Sequence, residues 1–286
     1  MAEKFHGFLC IIVLMKILIA GAGGFVGAAL VEKLAAHALV LPSRDPGKLK
    51  LPVQASSPPF TADLEGLVAG QKPEIVINLL GIIRESAGES FGLVHEEYTR
   101  RLLAGARAAG VKKFVQMSAL GAAPEAPSAY HRSKFAGEEL VKASGLPYVI
   151  FRPSFITGPG QKLLAELRSI ARFTPALAAP SDCLAAPLPV DAVAACFARA
   201  VEDPSISREL FELAGDRVMS FREIFAEALS SMGLRRPVIG LPRKFFFPLL
   251  PFFRLFPVPP MTLEQYRMLA RPNLPSGAYR GVKDLI

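Results

Sequence analysis

Three side chains carry the chemistry this sequence could do: Ser118, Tyr130 and Lys134. Tyr130 and Lys134 stand four residues apart in Tyr130-His131-Arg132-Ser133-Lys134, a spacing that sets both on one face of a helix. Moving hydride to or from a carbonyl carbon requires a partner that gives or takes a proton on the oxygen. A free phenol titrates near about pH 10, too high for a base at neutrality, but a neighbouring ammonium favours the phenolate. Ser118 closes the apolar run Lys113–Ser118 at the end where open α/β sheets place their ligands, and its hydroxyl could polarise the same carbonyl. By itself the tyrosine–lysine pair is equally well a contact on an exposed helix. The serine twelve residues upstream and a glycine turn near the start of the chain favour function.

That turn is Gly21-Ala22-Gly23-Gly24-Phe25-Val26-Gly27, directly after the apolar run Ile17–Ala20 and opening the helical pattern Phe25–Ala36. Gly21, Gly24 and Gly27 have the spacing G-x-x-G-x-x-G; the shorter G-x-G-x-x-G form fails, because its last glycine falls on Val26. One glycine permits the bend, the next lets the backbone approach a pyrophosphate, and the third lets helix and strand pack closely. The phosphates then meet the free N–H groups of the helix start. A second apolar run, Ala38–Leu41, leads into Pro42-Ser43-Arg44-Asp45. A carboxylate here would meet the ribose hydroxyls of NAD, whereas an arginine accommodates a 2′-phosphate. Arg44 comes first and favours NADP(H) over NAD(H), while Asp45 before Pro46 reads as a turn residue. Asp63 and Leu64, after a third strand, either touch the adenine or cap the helix Leu64–Ala69.

The elements that must position these residues alternate. Strand-like runs at Ile17–Ala20, Ala38–Leu41, Glu74–Leu80, Lys113–Ser118 and Tyr148–Arg152 are separated by helical patterns that include Phe25–Ala36, Tyr98–Ala109 and Ala129–Ala143. This is the rhythm of an α/β fold, a doubly wound parallel sheet covered on both faces. After Pro153 it loosens: Leu163–Arg172, Val190–Ala200 and Phe221–Met232 read as helices and Glu209–Leu213 as a strand. The expected division is an extension over 1–14, a dinucleotide-binding domain over 15–160 to which 188–213 returns, and a smaller, mostly helical substrate or lid region over 161–187 and 214–286.

Composition excludes some classes. With 51% hydrophobic and 20% charged residues among 286, a disordered chain is ruled out. A net charge of +8 suits an anionic ligand, a nucleic acid or an acidic membrane. The basic residues are dispersed and match no nucleic-acid motif, so nucleic acid is disfavoured. Cys10, Cys183 and Cys196 form no disulfide framework, and four scattered histidines lack metal-ligand spacing, so no metal is expected. Met1–Ala22 is similar to a secretory signal, yet cleavage near Ala22 would remove the first strand; the expectation is a cytoplasmic protein, with Met15 as an alternative start. Arg243–Pro260, RKFFFPLLPFFRLFPVPP, is too broken by proline to span a bilayer. It reads as a lid over an apolar pocket, as a docking patch helped by Arg235, Arg236, Arg243 and Lys244, or as core of the small C-terminal region.

Taken together, Ala20–Gly27 (AGAGGFVG), Ser118, Tyr130–Lys134 and Phe151–Gly160 (FRPSFITGPG) resemble the extended or atypical short-chain dehydrogenase/reductase superfamily, from about Met15 to near the C-terminus. The resemblance implies Tyr130 as catalytic acid/base, Lys134 on the nicotinamide ribose lowering the tyrosine pKa, and Ser118 orienting the carbonyl. It places Pro153 and Ser154 near the nicotinamide, and Leu79, Leu80 and Gly81 beside the cofactor. Within the superfamily, His95 in place of the usual Asn, Leu213–Ile224 and Val258–Leu269 are similar to the branch of the nucleotide-binding accessory subunit of respiratory complex I and its bacterial relatives. That branch implies a cofactor-holding structural role and association with complex I or the inner face of a membrane. The intact Ser118–Tyr130–Lys134 set implies an oxidoreductase, with a sugar-nucleotide epimerase or dehydratase as the alternative; the apolar composition of the C-terminal half favours a small, lipid-like or isoprenoid substrate over a sugar nucleotide.

Overall fold

The computed structural model describes residues 14–253, 255 and 259–286, so Cys10 and most of the proposed extension lie outside the described residues. The chain runs β1 (Lys16–Ala20), α1 (Phe25–Lys33), β2 (Ala38–Val40), β3 (Ala55–Ser56), α2 (Leu64–Gln71), β4 (Ile75–Asn78), α3 (Tyr98–Ala108), β5 (Lys113–Met117), α4 (Ala129–Ala143) and β6 (Tyr148–Pro153). It continues through β7 (Ile156–Thr157), α5 (Lys162–Phe173), β8 (Leu177–Pro180), β9 (Leu184–Ala185), β10 (Leu188–Pro189), α6 (Val190–Glu202) and β11 (Glu209–Leu213). The last elements are β12 (Met219–Ser220), α7 (Phe221–Ser231), β13 (Val238–Leu241), α8 (Leu250–Phe253) and α9 (Leu263–Met268).

Seven strands form one parallel sheet in the order β11-β6-β5-β4-β1-β2-β3. This is the doubly wound sheet the alternating pattern predicts. Ile17 and Ile19 of β1 face α1 and α6, with Leu30, Phe197 and Phe211 in the same core. Leu18 and Ala20 face α2, α3 and α4, with Val68, Leu102, Phe114 and Val141. Both faces are therefore buried, and the strand reads as a continuous apolar run rather than an alternating one. The strand order reverses between β1 and β4, the point at which open α/β sheets hold their ligands in a crevice outside the carboxyl ends of the strands.

Outside the sheet, α5, α7 and the parallel pair β8–β13 enclose a second core of Leu167, Leu177, Leu229 and Val238. The chain end then returns to the sheet: Arg280 bridges Phe211, and the Glu212 N–H donates to the Arg280 carbonyl at 2.9 Å. The short pairs β7–β10, β9–β12 and β8–β13 escape sequence reading because two to four residues carry no periodicity. Residues 92–97 are a π-helical stretch running straight into α3, so the helix expected from Tyr98 begins earlier.

Candidate active site

The crevice is built from three loops at strand ends. After β1, Gly21 has φ +94°, and a Cβ there would lie 3.0 Å from the Leu79 carbonyl carbon. A Cβ on Gly27 would lie 2.3 Å from the Gly21 carbonyl oxygen, so only glycine lets α1 start this close to the strand. Gly24 is the N-cap of α1 and supplies no side chain to its first turn, leaving the N–H groups of Phe25, Val26 and Gly27 for a phosphate. Gly23 is exposed on the rim, Phe25 is half-buried, and the Val26 side chain points into the core. Val26 therefore contributes backbone only.

After β4, the buried Asn78 amide donates to Thr99 Oγ1 (3.0 Å) and Gln116 Oε1 (2.9 Å), while its Oδ1 accepts the Leu80 N–H (3.1 Å). These bonds fix the turn Leu79–Gly81, where a Cβ on Gly81 would lie 3.0 Å from Lys134 Nζ and 3.6 Å from His95 Nε2. His95 Nε2 accepts the Ile82 N–H (3.1 Å), which leaves the proton on Nδ1, 2.8 Å from Ser133 Oγ; that hydroxyl in turn donates to the Tyr130 carbonyl (2.9 Å). Burial, with the nearby Lys134 charge, lowers His95 to about 2. It is thus a neutral anchor of the Leu80–Ile82 loop with both ring nitrogens committed, the ordinary structural role for that position.

After β5 comes Ser118. Its N–H donates to the Phe151 carbonyl at 2.7 Å, but its buried hydroxyl has no hydrogen-bond partner among the described residues. A buried hydroxyl without a partner is costly, and such atoms mark places where a ligand completes the bonding. Lys134, 3% exposed, donates to the carbonyls of Met117 (3.2 Å) and Leu80 (3.4 Å), which ties the end of β5 to the Leu80–Gly81 turn through its ammonium. Burial lowers it to about 8 against the pull of Glu138. Tyr130 is half-buried, with the rings of Phe91, His95 and His131 edge-on at 5.9, 5.5 and 5.1 Å. Burial pushes its phenol up to about 12. The expected lowering of the phenol by Lys134 is therefore not found: burial governs both groups, and the ammonium is directed at backbone carbonyls.

Other expected contacts resolve differently. Asp63 Oδ1 accepts the Gly66 N–H at 2.8 Å as the N-cap of α2, and the Leu64 side chain is wholly buried in the core. Both residues build the helix start; the buried Leu64 side chain is closed to an adenine, whereas the Asp63 carboxylate is exposed. Arg44 is exposed and pairs at 2.7 Å with Glu89, a residue of the segment between β4 and α3. Pro153 ends β6, paired with Leu213; the Ser154 hydroxyl donates to Asn273 Oδ1 (2.6 Å) and accepts the Ala186 N–H (3.2 Å), tying the chain end to the sheet. Cys183 and Cys196 are buried free thiols, raised by burial to about 12 and about 11. Sequence reading missed Asn78, Ser133 and Asn273; only Asn78 carried a signal, as an amide within the apolar run EIVINLL.

Beside the crevice, a mostly apolar cleft of about 1150 Å³ is lined by residues including Phe155, Gly158, Leu164, Met219, Ile224 and Met232. A Cβ on Gly158 would come within 3.4 Å of the Phe25 ring, so the cleft begins next to the glycine turn. Ser118, Tyr130 and Lys134 are not part of its lining.

A family model described as NAD(P)H-binding matches residues 21–204, which contain all three crevice loops. The chain belongs to the NAD(P)H-binding family. This NAD(P)H-binding protein is 32% identical over 234 residues to ceramide reductase of Caulobacter vibrioides, covering 78% of this chain and 73% of that protein. It is 29% identical over 229 residues to mitochondrial NADH dehydrogenase (ubiquinone) 1 alpha subcomplex subunit 9 of Arabidopsis thaliana, covering 74% of this chain and 56% of that protein. Its fold matches that of the Bacillus cereus UDP-glucuronic acid 4-epimerase in complex with NAD, with a TM-score of 0.66 at 21% identity over 80% of this chain and 87% of that one. The extended short-chain dehydrogenase/reductase relationship read from the motifs therefore holds. The glycine cradle that a Cβ would fill and the unpartnered Ser118 hydroxyl fit a dinucleotide with its reactive ring at the end of β5.

Proposed function

We propose that this protein reduces a carbonyl on a lipid-like, apolar substrate, taking NADPH in preference to NADH. The observation that carries the reading is the buried, unpartnered Ser118 hydroxyl, one residue after the Met117 carbonyl that accepts from the Lys134 ammonium. When bound, the nicotinamide supplies hydride. Ser118 then donates its free hydrogen bond to the substrate oxygen and orients it. Tyr130 supplies the proton; a phenol held near about 12 is protonated at neutral pH, the state an acid needs for reduction. Lys134 holds the ribose hydroxyls at the Leu80–Gly81 turn. Gly21–Gly27 seats the pyrophosphate, the backbone of Pro153 and Ser154 flanks the nicotinamide, and Arg44 exchanges Glu89 for a 2′-phosphate. The likeness to a ceramide reductase supports a lipid-like substrate, and the unpaired thiols support the cytoplasm.

A thermal shift tests the cofactor: at a hundredfold excess over Kd a ligand stabilises by about 2.7 kcal/mol, and NADP+ should exceed NAD+. No shift with either removes the assignment, and a larger shift with NAD+ removes the role of Arg44. Tyr130→Phe should keep the shift and lose NADPH oxidation with a long-chain ketone. A second reading, a cofactor-holding protein docked on a respiratory complex, is supported by the likeness to subunit 9. It stands instead if Tyr130→Phe leaves the protein's cellular role intact. Turnover of a UDP-sugar would favour the epimerase alternative.

A further inference from the structure

After β13, Pro242 turns the chain into a 3-10 segment, Arg243–Leu249, that continues into α8. Phe246 and Leu250 point inward, 5% and 7% exposed. Phe245, Phe247, Leu249, Phe252 and Leu255 point outward, at 52, 56, 41, 63 and 82% exposure. Five large apolar side chains exposed within eleven residues exceed the scattered singles that a soluble surface tolerates. Cations predominate in the surrounding chain, with Asp182, which accepts the Arg243 N–H at 2.7 Å, and Glu264 of α9 the carboxylates placed against it. From Ala228 to Leu263 the sequence holds five Lys and Arg residues and no Asp or Glu. Among these, Lys244 lies over the Phe245 ring at 5.5 Å, Arg243 over the Tyr266 ring at 4.5 Å, and Arg235 and Arg236 are exposed just before β13.

We propose that this face docks the protein on an anionic lipid bilayer, its Phe and Leu side chains entering the headgroup boundary while the cations meet lipid phosphates. Apolar residues rimmed by Lys and Arg are the composition of a bilayer-surface element. Two copies of the face would bring Arg243 and Lys244 together with only the already engaged Asp182 and Glu264 to offset them, which disfavours self-association. The exposure of the five side chains excludes a place in the core.

The face is also tied to the crevice. Phe247 packs on Tyr266 of α9 with ring centroids 5.5 Å apart, and Glu264 of α9 accepts the Ala129 N–H at 2.7 Å, one residue before Tyr130. A protein docked by this face holds the first turn of α4 close to the bilayer, where apolar carbonyl compounds partition. That last step rests on the proposed role of Tyr130; the docking does not.

Co-sedimentation of the full chain with phosphatidylcholine vesicles, with and without phosphatidylglycerol, tests the docking without any activity assay. Partition onto the phosphatidylglycerol vesicles should exceed that onto neutral ones by about tenfold or more and weaken with salt. The triple variant Phe245→Ser, Phe252→Ser, Leu255→Ser should lose more than about tenfold, and Lys244→Glu about fivefold. Retention of the dinucleotide-induced thermal shift shows that the variants fold. Equal sedimentation of wild type and triple variant overturns the proposal, as does no binding to either vesicle. A dimer in sedimentation velocity that the triple variant dissolves, without vesicle binding, overturns it in favour of a second copy of the chain.

Discussion

Lys134 is held as a cation in a place that disfavours cations. Its folded-state pKa is lowered from 10.5 to about 8, so the stability linked to this group is present above the unfolded pKa and lost as pH falls through about 8. At neutral pH the buried charge costs on the order of 3 kcal/mol, before its two hydrogen bonds are counted. Lys134→Met should therefore raise the urea midpoint at pH 7 while abolishing turnover; a lowered midpoint would show that the ammonium is a net stabiliser. The buried histidines act with the same sign at lower pH. His95 and His131 are lowered from 6.5 to about 2 and about 4, so their contribution is complete above about 6.5 and is lost as pH falls below it. Between pH 7 and pH 5 each should remove about 2 kcal/mol, and His131→Gln should flatten the decline of the urea midpoint. At this scale the sequence showed Ser118, Tyr130 and Lys134 because four-residue spacing and strand ends are local. It did not show that Glu89, 45 positions away, holds Arg44, or that Asn273, 119 positions away, holds Ser154, because only the folded chain brings those partners together.

Among the elements, close approach of backbones decides where glycine is required. A Cβ on Gly105 of α3 would lie 2.5 Å from the Glu65 carbonyl oxygen of α2. Gly105→Ala should cost about 2 kcal/mol or more through overpacking, measured by urea unfolding, and leave the dinucleotide-induced thermal shift in place. Gly27→Ala, facing the Gly21 carbonyl oxygen at 2.3 Å, should lose both stability and that shift. The five early strands and the glycine turn were legible because burial on both faces writes long apolar runs. Residues 92–97 were not, since a π-helical stretch breaks the 3.6-residue period on which such reading depends. It is this stretch that carries His95 to Ile82 and Ser133.

Across the whole molecule, one buried ionic cluster joins parts far apart in the chain. Arg152 of β6 donates to both oxygens of Glu138 of α4 at 2.8 and 2.6 Å and lies 3.8 Å from Glu212 of β11. Glu212 also accepts from the Ser276 hydroxyl at 2.9 Å. Arg152→Met leaves two buried carboxylates without their cation and should cost about 3–5 kcal/mol in one cooperative urea transition. A separate early transition of the region beyond Pro153 would contradict that coupling. The doubly wound sheet was legible from its alternating rhythm, whereas the return of Asn273–Asp284 was not, because that stretch is polar, short in every element and held by side chains. During synthesis this has a temporal consequence. The outer edge of Tyr148–Pro153 stays bare until some sixty further residues have left the ribosome. Arg152 then waits for Glu212, which itself waits for Ser276. The nascent chain thus carries an open strand edge while about a fifth of its length is made, and a chaperone that shields such edges has its task set there.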